Sequence, residues 1–134
     1  MEAESIIVTN NPQVAGRIPE KYPQLAGKID YRKVSFKEIL LAVRDEVHQG
    51  AELLTHPLDG SVKPQETPYK SVLIRKRRGS VDIRSLELIE SAIASCDKFK
   101  VRERIFDPQV QKDFQTIDRT LLESALSSWQ VTDY

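Results

Sequence analysis

The stretch Ser5-Ile6-Ile7-Val8-Thr9, followed by Asn10-Asn11-Pro12, decides the fold. A short, β-branched apolar run of this kind is typical of a strand buried on both faces, as strands of parallel sheets are. Asn is a favoured helix cap and Pro suits the first helical position, so a short helix or turn is expected to start after the strand. Residues 17–27 hold two prolines and a glycine and are predicted to be irregular.

A helix with a strand on either side is predicted next. Ser35-Phe36-Lys37-Glu38 has the spacing of a capping box, in which serine and glutamate satisfy the first amides of a helix. Apolar residues then recur at helical spacing until Gly50 supplies a stop; they are Phe36, Ile39, Leu40, Val43 and Val47. Residues 28–34 and 51–55 are predicted strands, the first of them near an edge. The helix between them would make these two strands parallel.

The second half of the chain is predicted to be mainly helical after one more strand. Val72-Leu73-Ile74 forms that fourth strand, whose direction is open because no helix precedes it. A helix should start near residues 82–85 and carry apolar residues on one face as far as Cys96. Cys96 itself is interpreted as a small buried core residue.

A last helical region is expected to start at Asp107-Pro108. Thr120 and Glu123 repeat the capping-box spacing, so this region is expected to break into two helices near Asp118. The sequence thus predicts a single α/β domain over residues 1–134. Its sheet would be small and mostly parallel, with about four strands flanked by helices and a helical C-terminal half.

Composition excludes several classes of protein. The 20 basic and 20 acidic residues balance, so no overall field attracts the chain to nucleic acid or to an anionic membrane. The single cysteine cannot form an internal disulfide, which favours a reducing cytoplasm. No signal-peptide pattern and no apolar run of about 18 residues is present, so a soluble, cytoplasmic protein is expected.

The best candidate for a working site is the long polar loop from His56 to Ser71. A loop this long in a compact domain is usually functional or disordered, and its three prolines restrict disorder. In open α/β sheets, ligands gather at the carboxyl ends of parallel strands, where the first and third strands are predicted to end side by side. The predicted ligand-binding residues are Thr9, Asn10, Asn11, Thr55, His56, Ser61, Lys63, Thr67, Tyr69, Lys70 and Ser71.

Two interpretations of this loop stand side by side. His56 is the candidate general acid or base, and Lys63 or Lys70 would neutralise a carboxylate or phosphate. Pro, Gly, Asp and Ser are equally ordinary turn formers, so the same loop is consistent with a rigid structural element. The length of the loop favours function.

Other chemical motifs are absent or weak. The chain has no Gly-x-Gly-x-x-Gly motif and no phosphate-binding loop, and two histidines with one cysteine do not make a structural zinc site. No metal and no cofactor are expected. The basic run Arg75 to Arg78 has no interleaved aromatic residue, so nucleic acid is not an expected partner and an edge-protecting, solvated strand end is favoured.

Three segments together resemble the GrdX family over nearly the whole chain. They are Ile-Ile-Val-Thr-Asn-Asn-Pro at residues 6–12, Leu-Leu-Thr-His-Pro-Leu-x-Gly-Ser-Val-Lys-Pro-x-Glu-Thr-Pro-Tyr-Lys-Ser-Val-Leu-Ile at 53–74, and the stretch 113–126, which begins Asp-Phe-Gln. The part from His56 to Ser71 is the most specific. The resemblance implies a protein encoded with the glycine reductase complex of amino-acid-fermenting anaerobes, in a pathway that handles glycine, acetyl phosphate and related anions. It implies no catalytic residues.

The leading hypothesis is a non-catalytic accessory protein of the glycine reductase system. It would bind a glycine reductase subunit or a small anionic metabolite through the loop at residues 55–71. The alternative is a small enzyme that acts on a carboxylate or phosphate metabolite with His56 as acid or base. That alternative requires His56, Tyr69 and a lysine to converge on one pocket beside Asn10. A third hypothesis, nucleic-acid binding through Arg75 to Arg78, has less support.

Overall fold

A computed structural model describes residues 4–58, 67–98 and 107–128. The elements are β1 (Glu4–Thr9), α1 (Pro12–Lys21), a short 3₁₀ helix (Pro23–Leu25), β2 (Ile29–Tyr31), α2 (Phe36–His48), β3 (Glu52–Leu53), β4 (Ser71–Lys76), α3 (Ile83–Lys98) and α4 (Pro108–Ser128). The four strands form one sheet in the order β2-β1-β4-β3. The prediction of an α/β fold with four strands and a helical C-terminal half is confirmed.

Helices cover both faces of the sheet. On one face, Val8 of β1 and Val72 and Ile74 of β4 pack with α2 and α3. On the other face, Ile7 of β1 and Leu73 of β4 pack with α1 and α4. Alternate residues of the two central strands therefore enter two separate cores, which is why both strands are apolar throughout.

The sheet is mixed rather than mostly parallel in its pairings. β1 pairs with β2 in parallel, whereas β4 pairs antiparallel with both β1 and β3. β2 and β3 do point the same way, but they lie at opposite edges, with β1 and β4 between them. The long connection from β3 to β4 allows this arrangement, because it lets the strand with the most apolar residues take a central place.

α1 is longer than predicted, since it continues through the region expected to be irregular as far as Lys21. Val14 and Ile18 on its inner face are fully buried, and this burial outweighs the weak helix preference of the Gly16 and Pro19 positions. The predicted start is confirmed: Asn11 caps the helix by accepting a hydrogen bond from the Gln13 N–H at 2.9 Å.

The predicted capping box of α2 is present. The Ser35 hydroxyl accepts from the Glu38 N–H at 3.1 Å, and the Glu38 carboxylate accepts from the Ser35 N–H at 3.3 Å. Glycine at position 50 has φ +115°, a left-handed conformation that favours glycine after a helix.

The predicted break near Asp118 is wrong, because α4 runs without interruption from Pro108 to Ser128. The Thr120 hydroxyl donates to the Ile117 carbonyl oxygen of the same helix at 3.0 Å and caps nothing. Glu123 pairs instead with Arg119, one turn earlier, at 2.9 Å. The capping-box spacing was therefore coincidental, and burial of one face keeps the helix continuous.

The basic run does not protect a sheet edge, since β4 is an interior strand. Arg75 lies 3.6 Å from the Glu52 carboxylate, and Lys76 lies 3.9 Å from the Glu46 carboxylate. The end of the run is nevertheless exposed, as predicted. In the part of the chain that the structure describes, no helix combines the length and the apolar character that crossing a bilayer requires.

Candidate functional site

The polar residues that follow β1 meet those that begin β4 because the two strands are antiparallel neighbours. Thr9, the last residue of β1, is paired with Ser71, the first residue of β4. Their hydroxyl oxygens are 2.6 Å apart, and both residues are buried. The sequence predicted both residues for the site, although it expected the third strand, not the fourth, beside the first.

Asp118 of α4 completes this buried cluster. Its carboxylate accepts hydrogen bonds from the Ser71 N–H at 3.1 Å and from the Ser71 hydroxyl at 2.7 Å. It also accepts from the side-chain amide of Asn11 at 2.9 Å. Burial raises the pKa of Asp118 above its ordinary value of 3.8, and this effect outweighs the opposing effects of its hydrogen bonds and of the nearby Lys70 charge.

Asn11 ties the start of α1 to the middle of α4. Its side-chain oxygen caps α1, while its amide nitrogen donates to the Gln115 carbonyl oxygen at 2.8 Å and to the Asp118 carboxylate. Asn11 is fully buried, so each of these bonds replaces a contact with water. Its role in the fold is structural, since both polar atoms of the side chain are occupied.

Asn10 holds three loop segments together in the same way. Its amide nitrogen donates to the carbonyl oxygens of Val34 at 2.9 Å and Pro68 at 2.8 Å. Its side-chain oxygen accepts from the Lys70 N–H at 2.9 Å. Asn10 therefore fixes the backbone on both sides of Tyr69.

A small cavity of about 20 Å³ lies beside this cluster, and we call it the Lys70 pocket. Its lining residues are Phe36, Leu58, Thr67, Tyr69, Lys70, Ile117, Asp118 and Leu121. A cavity of this size holds one water molecule or one small polar group. Its walls are mainly apolar, and its charged groups are one ammonium and one carboxylate.

The hydroxyls of Thr67 and Tyr69 are held in place from the protein side. The Thr67 hydroxyl accepts from the Tyr69 N–H at 3.2 Å, and the Tyr69 hydroxyl accepts from the Gln115 side-chain amide at 2.9 Å. Lys70 is only 7% exposed. The pocket thus contains three fixed side chains able to donate a hydrogen bond.

His56 does not line this pocket. It is exposed, and its Nδ1 accepts from the Leu58 N–H at 3.0 Å, which closes a local turn. Thr55 is buried, and its hydroxyl accepts from the Leu73 N–H at 3.0 Å, which extends the pairing of β3 with β4. Two other predicted site residues, Ser61 and Lys63, lie outside the described residues.

Sequence reasoning missed the contribution of α4 to the site. Asp118 was interpreted as a helix break, and Ile117 and Leu121 only as members of an apolar stripe. One signal was available: Asp118 is spaced four and eight residues from Leu122 and Leu126, both buried. A carboxylate on the buried face of a helix indicates a specific polar partner.

Among the described residues, no three or more His, Cys, Asp or Glu side chains are grouped so that they could hold a metal ion. The Asp118 carboxylate is occupied by Ser71 and Asn11. The arrangement therefore offers donors to an anion more readily than ligands to a cation.

None of the curated proteins and none of the solved structures matches this chain. A family model described as a GrdX-like protein matches residues 6–127, which include all three segments of the resemblance. The strand that ends at Thr9, the segment that leads into Ser71 and the helix that carries Asp118 all lie within the match. The chain therefore belongs to the GrdX-like protein family.

Proposed function

We propose that this chain is a non-catalytic accessory protein of the glycine reductase system, and that it binds a reductase subunit or a small anion at the Lys70 pocket. Membership of the GrdX-like family supports the association with glycine reductase. The binding role is supported by one observation above all: residues of the predicted loop and the end of β1 surround a pocket that contains a buried lysine.

The surroundings of the pocket suit an interaction surface. Ile117 is 43% exposed although it is a large apolar residue, and it lies at the pocket together with the partly buried Leu121. Apolar residues at a polar rim are common at sites where a partner docks. Lys70 and Asp118 beneath them supply the charge that would orient the partner.

The enzymatic alternative has no observation in its favour. It required His56 to face Tyr69 and a lysine across one pocket. Tyr69 and Lys70 line such a pocket, whereas the His56 Nδ1 is engaged by its own turn. Nucleic-acid binding is likewise not favoured, since Glu52 and Glu46 lie beside the first two residues of the basic run.

The test is capture of purified glycine reductase subunits by the immobilised chain. Ile117→Asp places a charge at the pocket and is expected to weaken capture at least about tenfold, since a buried unpaired charge is costly at an interface. Ile83→Asp is the matched control, because Ile83 is a 63% exposed residue on α3 and should capture subunits as the wild type does. The proposal fails if no subunit is captured, or if both variants capture equally.

A further inference from the structure

The donors at the Lys70 pocket match a single oxyanion. The hydroxyls of Thr67 and Tyr69 each accept a hydrogen bond from the protein, so each retains its hydrogen for another acceptor. Within residues 4–58, 67–98 and 107–128, no acceptor is assigned to either hydroxyl hydrogen. Together with the Lys70 ammonium, these groups surround a space large enough for one small polar group.

The charge of the lining residues limits the charge of the ligand. Lys70 is the only cation among them and Asp118 the only anion. Their charges sum to zero when Asp118 is ionised and to plus one when it is protonated. A dianion such as phosphate would face the Asp118 carboxylate with one cation to balance it, whereas a monoanion is matched by Lys70.

The shape of the pocket limits the rest of the ligand. A cavity of about 20 Å³ admits a carboxylate-sized group but no nucleotide or sugar. The four apolar lining residues then contact whatever the anionic group carries; they are Phe36, Leu58, Ile117 and Leu121. Ile117 is the most exposed of them, so the ligand would extend across it toward solvent.

From these three observations we infer that the Lys70 pocket binds a small monocarboxylate with a short aliphatic tail. Lys70 and the hydroxyls of Thr67 and Tyr69 hold the carboxylate, and Ile117 contacts the tail. This inference deepens the proposed function and rests on the same pocket, but it concerns a free small molecule and not a subunit.

Titration calorimetry with propionate tests the inference, with two comparison ligands of similar size. Propionamide has nearly the same shape but no charge, and inorganic phosphate carries more charge. Saturable binding of propionate with a dissociation constant of about 1 mM is expected for so small a ligand, with no saturation by the other two. Equal binding of phosphate or propionamide, or no saturable binding of propionate, overturns the inference.

Two variants with matched controls locate the binding. Tyr69→Phe removes one donor and should weaken propionate binding about tenfold, while Tyr31→Phe alters a 43% exposed tyrosine on β2 and should leave it unchanged. In the wild type each added methylene from acetate to butyrate should tighten binding about fourfold, a gain that Ile117→Ser reduces and Ile83→Ser preserves. Unchanged binding in Tyr69→Phe contradicts the assignment.

The two proposals can fail separately. Loss of subunit capture with intact propionate binding overturns the proposed function and leaves this inference standing. Subunit capture without propionate binding overturns the inference alone. Circular dichroism melts of each variant separate loss of binding from loss of the fold.

Discussion

Asp118 and Ser71 are joined by two hydrogen bonds that link the middle of α4 to the first residue of a central strand. The Ser71 N–H and hydroxyl lie 3.1 Å and 2.7 Å from the two carboxylate oxygens of Asp118. Ser71 has no strand partner beyond this point on β4, so the helix side chain satisfies the end of the strand. The same carboxylate forms part of the Lys70 pocket, and the fold and the site therefore depend on one group.

Removing this carboxylate should strongly destabilise the protein. Asp118→Ala leaves the Ser71 N–H and the Asn11 amide without an acceptor and leaves Lys70 without its nearby counter-charge. A loss of about 3–5 kcal/mol in the free energy of unfolding is expected, measured by urea denaturation. Asp113→Ala, an exposed change on the same helix, should cost no more than about 0.5 kcal/mol; equal losses would show that the buried cluster adds nothing.

The raised pKa of Asp118 predicts a specific dependence of stability on pH. Because burial raises this pKa in the folded state, the folded protein holds the proton more tightly than the unfolded chain, whose value is near 3.8. The contribution of Asp118 to stability is therefore fully present below pH 3.8 and is lost as the pH rises through the folded-state pKa.

The measurement compares the wild type with Asp118→Asn, which has a similar shape and no titration. Urea denaturation across the acidic to neutral range should show that the difference in unfolding free energy between the two proteins changes in this direction. The other carboxyl groups titrate in both proteins and cancel in the difference. A difference that grows in favour of the wild type as the pH rises would mean that the pKa of Asp118 is lowered by its hydrogen bonds instead.

Local patterns predicted the elements that depend on neighbouring residues. The capping box at Ser35 and Glu38 and the apolar runs of β1 and β4 each determine structure through contacts close in sequence or through burial on both faces. The order of the strands could not be obtained in this way. It depends on which strand pairs with β1 across the long connection that ends at Ser71, and no local pattern encodes that choice.

The site was predicted in part for a similar reason. Residues that directly follow β1 or precede β4 could be placed at one edge of the sheet, and Thr9, Asn10, Lys70 and Ser71 do lie together there. Asp118 could not be placed by that rule, because it comes from a helix that packs across the sheet. Its position on the buried stripe of α4 was the one local indication.

Gly50 is predicted to be intolerant of any side chain. Its φ of +115° is rarely adopted by other residues, and an added Cβ would lie 2.7 Å from the Gly79 backbone nitrogen, which donates to the Gln49 carbonyl oxygen. Gly50→Ala should therefore cost at least about 2 kcal/mol in unfolding free energy. Gly16→Ala is the contrasting control, since nothing lies within 4 Å of its added Cβ in α1, and it should stabilise the protein by about 0.5–1 kcal/mol. The same sign for both changes would contradict this explanation.

Cys96 is predicted to be unreactive in the folded protein. Burial in the core between α3 and the sheet raises the pKa of its thiol from 9.0 to about 11, so the reactive thiolate is scarce at neutral pH. Iodoacetamide should leave the native protein unmodified over a period in which the urea-unfolded chain is fully alkylated, as measured by intact mass. Equal labelling rates would indicate that Cys96 is accessible and that α3 opens readily.

Asn10→Asp should disrupt the loop before β4 more than its small change in structure suggests. The amide nitrogen of Asn10 donates to two carbonyl oxygens, those of Val34 and Pro68, so an aspartate would place an oxygen against both. About 3 kcal/mol of unfolding free energy should be lost, since two donated bonds are replaced by repulsion. Hydrogen exchange gives the local measurement: the Lys70 amide, which donates to the Asn10 side chain at 2.9 Å, should exchange faster, while the Ile7 amide in the middle of β1 should change only as far as global stability does. If both amides accelerate by the same factor, Asn10 contributes to overall stability without specifically holding the loop, and the positions of Tyr69 and Lys70 must be fixed by other contacts.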